Sequence, residues 1–375
     1  MGELLYKMNE FDANALIPNA YSYIDAYTDN FAKIARVQTD LIWGNKNSII
    51  KPWISIIIPT FNRSELLKES IQSVLKQQQI DFLWEIIVID NTPFMPEATF
   101  SALSIVKELN DPRILLYHNR ENIGSGYNWN RGVELARGIW VCFLHDDDIL
   151  YPDALNNICR IIIKNQYRKK PLGYIKARFD EFSCNQSPYS LQRHNKNYFL
   201  ELTRLGTLIT YYTRTGIPTC GTTILKQAYI ESGGINYDFG PTADAVLGYQ
   251  IMRNYTILLS DVSLGAYRWG VNETLKLDTS KKLVYADYLF AQYCWQQSWY
   301  AKIWGKVFGK VQHSRNITAK IRDVNRLEKV AGVEDFSDPF PYEKSPKLKL
   351  FILRAIIYSY REICKMKARI KGYFM

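Results

Sequence analysis

Long apolar runs, paired cysteine motifs, clustered histidines and glycine-rich phosphate loops are all missing from this 375-residue chain. No uninterrupted apolar stretch approaches the ~18 residues of a bilayer span, which excludes a polytopic membrane protein. The six cysteines include no C-x-x-C pair and the four histidines are scattered, which argues against a zinc site. Reduced thiols suit this cysteine usage better than a disulfide framework does. No G-x-G-x-x-G follows an apolar run, so a dinucleotide oxidoreductase is disfavoured. The opening residues MGELLYKMNEFDANA lack the basic-then-apolar order of a signal peptide, and a cytoplasmic protein is expected.

What is present is a formal charge of +10, with 26 tyrosines and nine tryptophans. An excess of positive charge points to an anionic partner such as a nucleotide phosphate or an anionic lipid surface. Aromatics in this number suit sugar contacts or a membrane interface. Nucleic acid is not expected, since no recognised binding motif occurs.

Along the chain, residues 1–52 alternate polar and aromatic positions and read as a helical lead-in closed by Pro52. Four apolar runs follow, Ile54–Ile58, "EIIVIDN", "RILLYHN" and "IWVCFL", separated by segments with helical spacing. Ser64 is a candidate N-cap for the first of these helices. Runs apolar at every position suit strands buried on both faces of a parallel sheet, so an α/β fold with helices on both sides is expected. Residues 216–254 read as strand, short helix, Gly-Gly turn, loop and helix, and "YTILLSDVSLGAYRW" as two short strands. Residues 281–330 read as helical and aromatic.

Ligands of parallel sheets bind beyond the carboxyl ends of the strands. Those ends carry Thr60-Phe61-Asn62-Arg63, Asp90-Asn91 and Asp146-Asp147-Asp148. Adjacent carboxylates repel by about 4 kcal/mol per pair at ~4 Å and an effective dielectric near 20. A hard divalent cation, Mg2+ or Mn2+, would remove that repulsion, because such ions take oxygen ligands and share them with phosphates. The plainer alternative is a solvated turn, or Asp148 capping a helix that starts near Tyr151-Pro152.

The stretches "SIIIPTFNR", "IIVIDN", "NIGSGYNWNRGVELARG" and "FLHDDDILYPDAL" resemble, in order and spacing, the family 2 glycosyltransferases of GT-A fold, over roughly residues 53–270. The resemblance implies a Rossmann-like, mixed but mainly parallel sheet flanked by helices. It implies a domain at 53–275, with a nucleotide-binding half to 155, an acceptor half from 156, and a helical extension at 276–375. It implies a nucleotide-sugar donor, UDP-linked by preference, with base contacts at Thr60, Asn62, Arg63 and Asp90. The family's N-x-G and A-R-N-x-G elements fall on Asn122, Gly124 and Asn128-Trp129-Asn130-Arg131-Gly132. Trp129 replaces the family's arginine there, leaving Arg131 as the diphosphate candidate. The D-x-D-D metal motif aligns its first position with His145. Asp147 is thus the leading metal ligand, Asp146 lies near the ribose, and Asp148 is an alternative ligand.

Four departures from the family stand at Asn91, Trp129, Ala243 and Trp269. Where the family carries Glu-Asp after its Gly-Gly turn, this chain has Ala243-Asp244, so Asp244 inherits the role of general base in an inverting transfer. From position alone Asp244 could equally favour the start of its helix. Arg268 is a further diphosphate candidate, or a surface strand residue. The acceptor implied is a lipid-linked or surface-polysaccharide glycan, of O-antigen or capsule type. A non-catalytic nucleotide-sugar-binding scaffold is the alternative; a nucleotidyltransferase would need a glycine-rich loop that "PTFNRSE" lacks.

In the tail, Leu348, Ile352, Ile356, Ile363, Met366 and Ile370 recur at steps that build a helical stripe, with Lys347, Arg354, Arg361 and Lys365 projecting to the opposite side. Residues 347–371 are therefore expected to lie peripherally on an anionic cytoplasmic membrane face. The plainer alternative is packing on the protein with the basic side in water. The aromatic-lysine segment 294–310 is expected either to join that contact or to cover the acceptor.

Overall fold

The computed structural model describes residues 24, 27–93, 101–183, 186–193, 195–210, 216–270, 277–319 and 346–370. Its strands are β1 (Thr39–Trp43), β2 (Ile54–Thr60), β3 (Trp84–Asp90), β4 (Ile114–Asn119), β5 (Trp140–Leu144), β6 (Ile149–Leu150), β7 (Leu172–Ser183), β8 (Asn195–Leu202), β9 (Cys220–Leu225) and β10 (Thr256–Trp269). They form one sheet in the order β1-β4-β3-β2-β5-β9-β7-β10-β6, with β8 also paired to β10. β4, β3, β2 and β5 run parallel. β1 and β9 are antiparallel to their neighbours β4 and β5. The expected mixed, mainly parallel core is therefore present.

The helices are α1 (Ser64–Leu75), α2 (Ser101–Leu109), α3 (Ser125–Leu135), α4 (Ala154–Asn165), α5 (Arg204–Thr210), α6 (Lys226–Glu231), α7 (Ala243–Asn254), α8 (Leu277–Gln296), α9 (Trp299–Trp304), α10 (310–319) and α11 (Lys347–Ile370). The all-apolar strands are explained by what covers them. Ile54, Ile56, Ile58, Val88 and Cys142 pack beneath Leu67 and Ile71 of α1, Val106 of α2 and Ile158 of α4. The alternate residues Ile57, Ile87, Ile89, Val141 and Phe143 pack on the other face, against Val133 of α3 and residues of α6, α7 and α8. Alternation along each strand thus divides one apolar run between two cores.

Several boundaries differ from the sequence reading. Ser64 is the first helical residue and Arg63 the N-cap, without a side-chain cap bond. The segment read as two short strands is the single β10, whose pairing with β7 shifts register around Ser263. Its polar middle is accommodated because Ser263 Oγ donates to Asp180 Oδ1 at 2.9 Å. Among the described residues of the lead-in, Ile24 is helical and Ala32–Ile34 form a short 3-10 turn, while Thr39–Trp43 extend the sheet. The rest of the helical expectation for 1–52, and residues 320–330, lie outside the described residues.

The lead-in and the carboxyl-terminal helices both pack on this sheet assembly. Asn30 Nδ2 donates to Gly233 O at 3.0 Å, and Arg131 Nη2 to the carbonyls of Ile34 and Val37 at 2.7 and 2.8 Å. Ala286, Phe290, Tyr293 and Cys294 of α8 belong to the same core as β2 and β5. The described cysteines are all free thiols.

Candidate active site

The strand order reverses between β2 and β5: the chain steps from β2 through β3 to β4 and then returns to the other side of β2. A crevice opens at the carboxyl ends of such a pair. Thr60 closes β2 there, and its Oγ1 donates to Asp146 Oδ2 at 2.8 Å across the crevice. The acidic run forms a tight turn, with the Asp148 amide donating to His145 O at 3.2 Å. Ser70 of α1 pins it from below, its Oγ donating to the carbonyls of Asp148 (2.5 Å) and His145 (3.2 Å).

The three carboxylates have three different surroundings. Asp146 faces Thr60 and, at 3.5 Å, the guanidinium of Arg63. Burial, then the neighbouring Asp147 charge, pushes its carboxyl up to about 6. Asp148 is fully buried, and three hydrogen bonds reach its two oxygens. Its Oδ2 accepts from Thr219 Oγ1 (3.0 Å) and Cys220 Sγ (3.2 Å), and its Oδ1 from the Arg268 amide (2.9 Å). Burial, then Asp147, pushes it up to about 7. Asp147 is 2 % exposed, and its Oδ2 accepts from Arg63 Nη1 at 2.8 Å. Its Oδ1 is buried with no hydrogen-bond partner among the described residues.

A buried carboxylate oxygen without a partner costs about 1–3 kcal/mol, more when charged, so its retention calls for a ligand. One ligand atom each from His145, Asp147 and Asp148 lie within 4.8 Å of one another. Burial pushes the His145 imidazole down from its ordinary value, which favours the neutral, metal-ligating form. This donor set, rich in oxygen with one imidazole, fits a divalent cation such as Mn2+ or Mg2+. His145, with which the first position of the metal motif aligned, is one of this trio. Trp129, standing where the family has arginine, stacks on Phe143 at 5.1 Å and meets the His145 ring edge-on at 5.3 Å.

Other predicted residues distribute unevenly. Asn62 is exposed in the left-handed region (φ 51°), tolerable for asparagine, and its amide donates to Thr92 Oγ1 at 2.9 Å. Asp90 ends β3 one strand away, accepting from the Thr92 amide at 2.9 Å. Asn91 braces the next loop: its Nδ2 donates to Asn122 Oδ1 (2.7 Å), and its Oδ1 accepts from Asn119 Nδ2 (3.0 Å) and the Ile123 amide (3.1 Å). Asn122 in turn accepts from the Gly124 amide, and Asn128 donates to Ile89 O. Gly124, at φ 81°, precedes α3 in a conformation open to glycine.

Asn130 and Arg131 are not brought to this corner by their hydrogen bonds. Asn130 is buried against Ile235 and Tyr229. Arg131 binds the carbonyls of Ile34 and Val37 and pairs with Glu134. Arg268 is a brace: its Nε donates to Asp147 O at 2.8 Å, its guanidinium pairs with Glu69, and it lies over the Phe182 ring. Glu69, Ser70, Thr219 and Cys220 escaped the sequence reading, because nothing in their local pattern announces a partner so far along the chain.

Asp244 begins α7 and is half-buried. Its Oδ2 accepts from the Ile217 amide at 2.7 Å, and its Oδ1 from the Ala245 amide at 2.7 Å. Burial raises its carboxyl pKa, against the opposing pull of these amides and of Lys176. Ile217 stands two residues before Thr219, which holds Asp148. β9 pairs antiparallel with β5, Cys220 opposite Leu144. The stretch 217–220 therefore ties Asp244 to the same sheet edge as the acidic turn.

Residues 55–230 match the family model described as glycosyl transferase family 2. An uncharacterized glycosyltransferase of Methanocaldococcus jannaschii is 36% identical over 31% of this chain and 39% of its own length. The Campylobacter jejuni protein named GalNAc(5)-diNAcBac-PP-undecaprenol beta-1,3-glucosyltransferase is 37% identical over 28% of this chain and 33% of its own. The matches thus span little more than a third of these curated relatives. Among solved structures, a Pyrobaculum calidifontis mannosyltransferase in complex with GDP-Man and Mn2+ covers 96% of this chain and 95% of its own, at 14% identity and a TM-score of 0.49. The matched stretch runs from β2 into α6, across the parallel core and the acidic turn, so residues 55–230 form a glycosyl transferase family 2 domain.

Proposed function

We propose that this protein is an inverting, metal-assisted glycosyltransferase that moves a sugar from a nucleoside-diphosphate donor, UDP-linked by preference, to a glycan hydroxyl. The observation that carries the reading is the buried, unpartnered Oδ1 of Asp147 in an acidic turn at the β2–β5 crevice. Asp147, with His145 and Asp148, would hold Mn2+ or Mg2+, and the ion would neutralise the diphosphate leaving group. Arg63 supplies fixed positive charge at the same place, through its bond to Asp147. Thr60, Asn62, Asp90, Asn122, Gly124 and Asn128 are proposed to shape the nucleotide pocket, and Asp146 its ribose end. Asn130, Arg131 and Arg268 support that pocket through contacts within the protein.

Asp244 is proposed as the general base. It takes the proton of the acceptor hydroxyl while the oxygen attacks the anomeric carbon. The bond from that carbon to the diphosphate oxygen breaks, and its electron pair leaves with the nucleoside diphosphate. Attack opposite the leaving group inverts the anomeric configuration. The name of the Campylobacter relative supports a polyprenyl-diphosphate-linked glycan as acceptor, and with it a place on the cytoplasmic face of the membrane. No helix among the described residues is long and apolar enough to cross a membrane.

Release of UDP from a panel of UDP-sugars, measured with and without Mn2+, tests the reading. Wild-type turnover is expected to require the metal, and Asp147→Ala to lose about 10²–10³-fold. Equal activity of wild type and Asp147→Ala would overturn it.

A further inference from the structure

The helix α11 is apolar on two sides, and the described residues cover only one of them. Leu353 and Ile357 are buried against Ile209 and Val311, with Leu350, Ile356 and Tyr360 packed beside them. Tyr360 OH also lies 3.2 Å from Thr203 Oγ1. At 3.6 residues per turn, Leu348, Ile352, Ile363 and Met366 fall on roughly the opposite side. They are 70, 41, 45 and 53 % exposed, and Phe351 and Tyr358 on their shoulder are also exposed. The stripe that periodicity alone picks out is thus largely the one turned away from the protein.

The cations border this stripe. By helical projection Lys349 and Lys367 border it on one edge, while Lys347 and Lys365, then Arg354 and Arg361, lie beyond the exposed Phe351–Tyr358 shoulder on the other. Partial burial, then the charges of Arg354 and Arg361, push the Arg315 guanidinium down from its ordinary value, so cations gather beside the helix.

We infer that the exposed stripe Leu348–Ile352–Ile363–Met366 of α11 is a docking face for an anionic lipid bilayer. Apolar side chains enter the boundary between headgroups and acyl chains while lysines and arginines on both borders meet lipid phosphates. A second copy of the chain fits less well, because its cationic borders would face like charge. This deepens the membrane placement proposed above, and its readout is lipid binding, independent of sugar transfer.

Co-sedimentation of the full chain with vesicles of phosphatidylcholine alone, or with a quarter of phosphatidylglycerol, tests it. Binding is expected with the anionic vesicles only, weakening as salt rises. Ile352→Glu/Ile363→Glu should cut partitioning about tenfold or more, and Phe351→Asp should do so independently, with melting temperatures retained. Ile163→Glu, an equally exposed position on α4, should change nothing. Equal binding to neutral vesicles, unimpaired binding of the stripe variants, or a dimer that the stripe variants dissociate without any vesicle binding would each overturn the inference.

Discussion

Asp147 sets one carboxylate oxygen against Arg63 and leaves the other buried without a partner. The sequence makes the charge problem of Asp146–Asp148 visible, and a cation is a sufficient answer to it. It does not make visible that much of the repulsion is offset by the protein itself. Thr60, Arg63, Thr219, Cys220 and Arg268 each take a share, from three separate stretches of the chain. Asp148 was read as an alternative ligand; its two oxygens already accept three hydrogen bonds, so Asp147 is the better-placed donor. For Asp244, direction of shift gives a prediction. A base must be ionised, and this carboxyl is raised by burial, so kcat should fall on acidification at a pH above the ordinary carboxylate range. Asp244→Asn should retain UDP binding by calorimetry, lose about 10²–10⁴-fold in transfer, and lose that acid limb. Retained transfer would remove Asp244 from the mechanism.

At the scale of elements, β2 to β5 were legible because each is apolar throughout and sits between helices. β1 was not: "TDLIW" at a sheet edge is half-exposed on every residue but one, so no period marks it. β10 was divided at its polar centre because Asp180 of β7, which satisfies Ser263, lies far away in sequence. One such long-range device is testable. Glu85 at the start of β3 is completely buried, accepting from Ser55 Oγ at 2.6 Å and from Arg137 Nε at 2.8 Å. Arg137 also reaches Ile49 O at 3.1 Å, clamping the segment before β2. Arg137→Met would strand a buried carboxylate, at a cost of about 3 kcal/mol in urea unfolding; a change under about 0.5 kcal/mol would contradict this.

The helices α8 and α10 carry a second. His313 stacks on Tyr288 at 4.1 Å, has a buried, unpartnered Nδ1, and is pushed by burial down to about 4. A histidine depressed on folding takes up its proton more readily when unfolded. The stability it contributes is present above pH 6.5 and lost as pH falls toward 4, by about 3 kcal/mol. Melting temperatures of wild type and His313→Phe should converge over that window; parallel curves would contradict the assignment.

Over the whole molecule, the described segments on both sides of the matched domain, 27–43 and 346–370, are part of the fold. Arg131 illustrates why this was hidden: a family motif suggested a diphosphate contact, whereas its guanidinium holds the carbonyls of Ile34 and Val37. The tail illustrates it again. Periodicity located an apolar stripe on α11, and only the packing of Leu353 and Ile357 against Ile209 reveals that a different face is covered. At the centre lies the crevice between β2 and β5, where Thr60, Arg63 and Arg268 meet the acidic turn. Manganese anomalous scattering from crystals grown with UDP and Mn2+ tests that centre most directly. The account predicts a manganese peak at Asp147 Oδ1, bridging to the diphosphate of a nucleotide in the crevice. UDP bound there with no metal at Asp147, or bound at another part of the sheet, would contradict it.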